Sequence, residues 1–107
     1  MEIQYEDIKR IVRRTLIWLC QEHRGDHFIT NPKRIAKLAH LSTKPLTLTL
    51  VRYAIDEIAK EGLTLPNGEH ISISVWSNDS HGIKYIISFP DRAKNKELLE
   101  EVVGVIV

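Results

Sequence analysis

The chain has 107 residues, which suits one domain that buries a single core without disulfides or a structural metal. Hydrophobic residues make up 43% and charged residues 27%, an ordinary globular composition that excludes the disordered and low-complexity classes. The net charge is only +1, but the segment from Lys9 to Arg52 holds ten basic residues against two acidic ones. We therefore expect a polarised molecule.

The first predicted element is a helix over residues 5 to 23, which Gly25 ends. Its apolar residues recur at spacings of three and four, as in an amphipathic helix: Ile8, Ile11, Val12, Leu16, Leu19 and Cys20. Ile17 and Trp18 lie off this stripe. A second face of the helix is therefore expected to meet either the C-terminal segment or another subunit.

The second predicted helix follows a short extended piece at residues 27 to 30. Asn31 before Pro32 is the arrangement of an N-cap and a first helical residue whose missing N–H costs nothing. The helix is expected to run to Ala39 and to stop within residues 40 to 42, where polar residues precede Pro45.

The third element carries conflicting signals, because residues 46 to 50 alternate between leucine and threonine as a strand would. Pro45 suits a first helical turn, with Ser42, Thr43 or Lys44 as the cap, and apolar residues continue at helical spacing until Gly62. We predict a helix over residues 44 to 61.

After Gly62 the apolar period changes to two, which predicts two strands at residues 71 to 75 and 83 to 89. The intervening residues 77 to 82 (SNDSHG) are turn formers, so we expect a hairpin with a polar tip, and residues 65 to 68 (LPNG) form another predicted turn. Residues 91 to 107 are predicted to form a last helix.

The segment Arg34 to Ser42 (RIAKLAHLS), followed by a helix that ends in DEIAKEGL and then a hairpin, resembles the winged helix-turn-helix superfamily. His40 stands where that family commonly has glycine, and histidine is among the residues that tolerate a left-handed turn. The resemblance implies an α+β winged helix: a three-helix core over residues 1 to 62, a wing over 63 to 90 and an additional C-terminal helix, all in one domain.

In such a fold the second helix of the motif enters the major groove of DNA. The residues that the resemblance then assigns to DNA contact lie on both helices of the motif and on the wing: Lys33, Arg34, Lys37, Thr43, Lys44, Thr47, Thr49, Arg52, Asn78, His81 and Lys84. Projection of the third helix leaves Thr49 and Arg52 outward. Arg52 is the first candidate, and the alternative is an ion pair with Asp56.

Other charges qualify this prediction. Asp56 and Glu57 repel phosphate at the lower half of the third helix, so contact is expected only along its first two turns. Arg10, Arg13 and Arg14 form a basic face on the first helix, for which pairing of Arg10 with Glu6 is the alternative to DNA contact.

The C-terminal residues are more apolar than one buried helix face requires. Together with two residues of the first helix they form the predicted homodimer interface: Ile17, Trp18, Leu98, Leu99, Val102, Val103 and Ile106. The alternative is a C-terminal helix that docks wholly within its own domain, since Gly104 weakens the helix before its end.

The sequence carries no sign of an enzyme, because it has no nucleophile elbow, phosphate-binding glycine loop or zinc-protease motif. Cys20, His23, Asp26 and His27 are close in sequence, but Gly25 interrupts their spacing, so we expect no metal and no cofactor. A single cysteine gives no intramolecular disulfide, which favours an intracellular, cytoplasmic protein. With no run of ~18 apolar residues and no apolar stretch behind the acidic start, we expect neither a membrane span nor an export signal.

Two functions follow as hypotheses. The first is a small transcription regulator that binds double-stranded DNA as a homodimer. The second is a winged-helix module that contacts proteins within a larger assembly, which would suit the uncharged wing tip and the low net charge. The first predicts salt-sensitive binding to DNA, and the second predicts an exposed apolar patch.

Overall fold

The computed structural model describes residues 4–94 and shows an α+β chain, as predicted. The elements in chain order are α1 (Tyr5–Glu22), β1 (His27–Thr30), α2 (Pro32–Leu38), α3 (Pro45–Glu61), β2 (Leu63–Thr64), β3 (His70–Asp79) and β4 (Gly82–Ser88). A further helix begins at residue 90, one residue before the predicted start, and is described to residue 94. The remainder of the predicted C-terminal helix lies outside the described residues.

The four strands form one antiparallel sheet in the order β1-β4-β3-β2. The β1 strand, predicted only as an extended piece, pairs with the last strand through Phe28 opposite Ile87 and Thr30 opposite Tyr85. The two-residue strand β2 was not predicted, because Leu63 and Thr64 are too few to show a period.

Helix α1 buries the predicted stripe of Ile8, Val12, Leu16 and Cys20. Its last turn closes when the His23 N–H donates to the Leu19 carbonyl, before Gly25. In the helices that the structure describes, no segment is long and apolar enough to cross a membrane.

The start of α2 and the turn between α2 and α3 have the predicted chemistry. The Asn31 side chain accepts a hydrogen bond from the Arg34 backbone N–H at 2.8 Å, so Asn31 caps α2 and Pro32 begins it. His40 has a φ of 59°, the left-handed conformation that was expected for this turn residue. The Leu41 N–H then donates to the Ala36 carbonyl at 2.8 Å, which reverses the chain toward α3.

The conflict over residues 46 to 50 is resolved in favour of a helix. Lys44 is the N-cap of α3 and Pro45 its first residue, and Gly62 ends the helix with a φ of 87°. Helical geometry buries Val51, Ala54, Ile55 and Ile58 on one face, which the strand alternation of the preceding leucines would not achieve.

The hairpin is longer than predicted, and the prediction of a turn over residues 77 to 82 was wrong at both ends. Pairing continues to Asp79 opposite Gly82, which leaves a two-residue tip of Ser80 and His81. Polar residues can extend a ladder because its hydrogen bonds come from the backbone. The register shifts at Trp76, where β3 carries one extra residue.

Phe89 was predicted as the last residue of the second strand, but it follows β4 and is buried in the core. The core joins α1, α2 and α3 to one face of the sheet, to which β4 contributes Ile83, Tyr85 and Ile87. Alternation along β4 leaves Ile86 half-buried on the other face.

Arg92 ties the end of α1 to the sheet. Its guanidinium group donates to both carboxylate oxygens of Glu69, at 2.7 and 2.9 Å, and to the backbone carbonyls of Cys20, His23 and Gly25. It also stacks 3.9 Å from the centre of the Phe89 ring. One side chain therefore satisfies carbonyls that the helix end leaves without partners.

Candidate functional site

A groove of about 380 Å³ lies where the start of α2, the outward face of α3 and the tip of the β3–β4 hairpin meet. We call this surface the groove. Its polar lining includes five of the predicted site residues: Lys33, Thr49, Arg52, His81 and Lys84. Pro32, Leu48 and Ile83 supply its apolar lining. Three elements that are distant in sequence thus bring their cations to one concave surface.

The groove is electrostatically positive. None of its lining residues carries a carboxylate, and the stretch over residues 27 to 55 has five basic residues and no acidic one. Within residues 4–94, no carboxylate forms an ion pair with Lys33, Arg52 or Lys84. Uncompensated cations on a concave surface attract anions.

Arg52 does not form the ion pair with Asp56 that was the alternative to a binding role. Asp56 accepts a hydrogen bond from the Tyr85 hydroxyl at 2.8 Å instead. Burial raises the pKa of Tyr85, and the hydrogen bond to Asp56 raises it further. The phenol therefore stays protonated and keeps Asp56 engaged, while the exposed Arg52 side chain, which also interacts with the Tyr85 hydroxyl, lines the groove.

Two hydroxyl groups at the start of α3 hydrogen-bond to the backbone. The Thr49 hydroxyl donates to the Pro45 carbonyl at 2.9 Å, and the Ser42 hydroxyl accepts from the Lys44 N–H at 3.2 Å. Leu46, one residue after Pro45, is 74% exposed. A leucine this exposed in the first turn of a helix was not noticed in the sequence, where it counted only toward the conflicting alternation.

The other predicted DNA-contact residues fall outside the groove. Arg34 and Lys37 share a separate shallow hollow with Lys33 on α2. The rest are surface positions of α3, the turn before it and the hairpin that do not line the groove: Thr43, Lys44, Thr47 and Asn78. The predicted set is thus divided among the groove, a second hollow on α2, the start of α3 and, for Asn78, the hairpin.

The basic residues of α1 have a different environment. Lys9 Nζ lies 2.8 Å from Glu57 Oε2 and also contacts Glu61, while Arg13 donates to Glu61 at 2.6 Å. We call these four residues the ion-pair cluster. Hydrogen bonds from Lys9 lower the pKa of both glutamates. The acidic lower half of α3 is therefore neutralised by α1, and the expected repulsion of phosphate by Glu57 is offset.

Arg10 pairs with Asp7 at 3.1 Å, so the expected pairing with Glu6 was wrong. The two partners lie three residues apart, a spacing that places side chains on the same helix face as well as the spacing of four does. Arg10 thus has an acidic neighbour within its own helix, as the alternative to DNA contact required.

The four residues considered for a metal do not converge. His23 Nε2 contacts the His27 carbonyl at 2.8 Å, and His27 Nδ1 lies 2.7 Å from Asp26. Cys20 is buried in the core, where desolvation raises the pKa of its thiol to about 11. Over the part of the chain that the structure describes, no three histidine, cysteine or acidic side chains are grouped to hold a metal ion.

Two predicted interface residues are within the described range. Ile17 is half-buried against the core of its own chain, whereas Trp18 is exposed. The other five, Leu98, Leu99, Val102, Val103 and Ile106, lie outside the described residues.

Sequence reasoning missed an apolar hollow on the outer face of the sheet. Ile29, Ile86 and Trp76 line it together with Pro90 and Ala93, and Trp76 is 58% exposed. The alternation of β3 could have indicated Trp76, since serine occupies the outward position two residues earlier, but the predicted strand ended at residue 75.

Comparison of the chain with protein-family models, with curated proteins and with solved structures finds no match in any of the three.

Proposed function

We propose that this chain binds double-stranded DNA as a winged-helix protein, with α2 and α3 as the helix-turn-helix and the β3–β4 hairpin as the wing. The observation that carries the proposal is the groove, where Lys33, Arg52 and Lys84 come from three different elements without an acidic partner in the described chain. A duplex offers a row of phosphates that such a set of cations can neutralise together.

The start of α3 supports the same proposal. Lys44 caps the helix and is exposed, and Arg52 follows two turns later on the outward side. In a helix-turn-helix the N-terminal turns of the second helix reach the base edges of the major groove, while the flanking elements contact the backbone. Lys33 on α2 and Lys84 on the hairpin are placed to flank α3 in this way.

As a regulator, the chain would act as a homodimer that places two copies of α3 about 34–36 Å apart, one turn of DNA. The exposed Trp18 side chain on α1 supports this part of the proposal, since large exposed aromatic residues are enriched at interfaces.

Fluorescence anisotropy with a random duplex across a salt series tests the DNA-binding proposal. We expect affinity to fall steeply with salt, and the Lys44→Ala, Arg52→Ala double variant to lower the slope of log K against log salt by about 2. The control is Arg24→Ala, Lys60→Ala, which removes the same charge from residues that lie neither in the groove nor at the start of α3. Absence of binding at low salt would refute the proposal, as would equal losses in both double variants.

The apolar hollow on the sheet favours a second function, a module that contacts another protein. Ile29, Trp76 and Ile86 form the kind of exposed apolar surface that marks protein interfaces. This function predicts that the chain binds duplex DNA weakly in the same salt series. It also predicts that the wild-type chain binds a protein partner and that Trp76→Ala no longer binds it.

A further inference from the structure

The first three turns of α3 carry an apolar stripe beside the groove. Leu46, Thr49 and Tyr53 follow one another at spacings of three and four, so they lie on one side of the helix. Leu46 is 74% exposed and Tyr53 is 56% exposed. Within the described chain, nothing covers this stripe. Burial of the Leu46 side chain against a partner would be favourable, because it would remove apolar surface from water.

The stripe offers methyl groups rather than hydrogen-bond donors at its N-terminal end. Leu46 has no polar side-chain atom, and the Thr49 hydroxyl already donates to the Pro45 carbonyl at 2.9 Å. These two side chains therefore present carbon and, at Thr49, a hydroxyl that can only accept, so neither has a donor to offer a partner. A base recognised here would be recognised by shape and by contact with carbon, not by donated hydrogen bonds.

The surroundings of the stripe select the kind of partner. Lys44 precedes it at the helix cap, Arg52 lies beside it, and residues 27–55 contain no carboxylate. A partner that is apolar at its centre and anionic at both edges complements this arrangement. The major groove of a duplex has that character where thymine places its 5-methyl group between two phosphate backbones.

We infer that Leu46, with the Thr49 methyl group next to it, recognises the 5-methyl group of thymine in the major groove, so that thymine at that position distinguishes preferred from other duplexes. The inference rests on the proposed DNA-binding function and assigns its base preference to a residue outside the groove. Arg52, Lys33 and Lys84 supply affinity in this account, and Leu46 supplies discrimination.

Deoxyuridine substitution tests the inference, because deoxyuridine differs from thymidine only by the missing methyl group and pairs identically. A preferred duplex is selected from a random pool, and each thymine is then replaced in turn. We expect the wild-type protein to lose about fourfold in affinity at one or two positions, the effect of one methyl group removed from an apolar contact. Leu46→Ala should bind both duplexes equally, and Leu46→Met should keep the preference.

The matched control is Ile29→Ala, which truncates an exposed apolar residue on the sheet and should keep the full preference for thymine. Unchanged thermal unfolding of Leu46→Ala would show that the variant is folded. Equal wild-type affinity for every thymine and deoxyuridine duplex, with salt-sensitive binding intact, would overturn the inference and leave the proposed function standing. A preference that survives in Leu46→Ala would equally overturn it, and absence of duplex binding would overturn both.

Discussion

The ion-pair cluster takes both of its cations, and the groove takes Lys33 and Arg52, from the same basic stretch of sequence, yet the fold uses them differently. In the ion-pair cluster, Lys9 and Arg13 face Glu57 and Glu61 across the packed helices α1 and α3. In the groove, Lys33 and Arg52 have no acidic partner within residues 4–94. The first set compensates charges of its own fold, and the second set leaves positive charge for a partner.

The comparison shows that the number of basic residues is a poor guide to a binding surface. Ten of them lie between Lys9 and Arg52, but the charge they offer to a partner depends on which acidic residues the packing brings near. Glu57 and Glu61 are about fifty residues from Lys9 and Arg13 in sequence, and only the packing of two helices joins them. Counting charge along the chain therefore overestimates the positive surface on α1.

The largest expected effect comes from the most fully engaged cation, Arg92. Replacing it with alanine leaves Glu69 and three carbonyl groups without their donor, which should lower the free energy of unfolding by about 3 kcal/mol. Urea unfolding measures the loss. Arg92→Lys should lose most of the same stability, because lysine lacks the planar fork. A loss no larger than that of a surface substitution would show that Arg92 is not a structural cation.

A smaller effect is expected for Tyr85→Phe, which removes the hydroxyl that engages Asp56 beside Arg52. The free energy of unfolding of this variant should be about 1.5 kcal/mol lower than that of the wild type. The reason is that a partly buried hydrogen bond to a charged acceptor is lost. It also frees Asp56 to attract Arg52, so DNA affinity should fall in Tyr85→Phe and recover when Asp56→Asn is added. If Tyr85→Phe binds DNA as tightly as the wild type, the claim that Tyr85 keeps Asp56 from attracting Arg52 is contradicted.

The smallest effect concerns the pH dependence of the ion-pair cluster. The pKa of Glu57 and Glu61 is lowered in the folded state from an ordinary value of 4.5, chiefly by hydrogen bonds from Lys9. Their contribution to stability is therefore present above about pH 4.5 and is lost as the pH falls through the folded pKa. Lys9→Ala should flatten the dependence of urea unfolding on pH in this range, and Lys33→Ala should not. Equal flattening in both variants would contradict the account.

Helices were predictable because their signals are local. Asn31 with Pro32 fixed the start of α2, His40 fits the turn that a short motif indicated, and Gly62 ends α3 as expected. The outward position of Arg52 followed from helical geometry alone. Each of these depends on residues within one or two turns of each other, so the sequence contains the necessary information.

What could not be predicted depends on contacts between distant residues. The hairpin reaches Asp79 because backbone pairing tolerates polar residues, and Arg92 binds the end of α1 across about seventy residues. The alternation of β4 marks Tyr85 only as an inward, apolar position of the strand. It does not show that the Tyr85 hydroxyl donates a hydrogen bond to Asp56. The division of predicted residues between the groove and other surfaces likewise required the packing of the hairpin against α2 and α3.

The most direct test of the division of cations compares two multiple variants in the same salt series of duplex binding. Lys33→Ala, Arg52→Ala, Lys84→Ala removes the groove cations, and Lys9→Ala, Arg13→Ala removes the basic half of the ion-pair cluster. We predict that the first variant lowers the slope of log K against log salt by about 3, since each phosphate contact contributes about 0.9. The second should leave the slope within the error of the wild type while it lowers stability. A reduced slope in the second variant, or an unchanged slope in the first, would contradict the account.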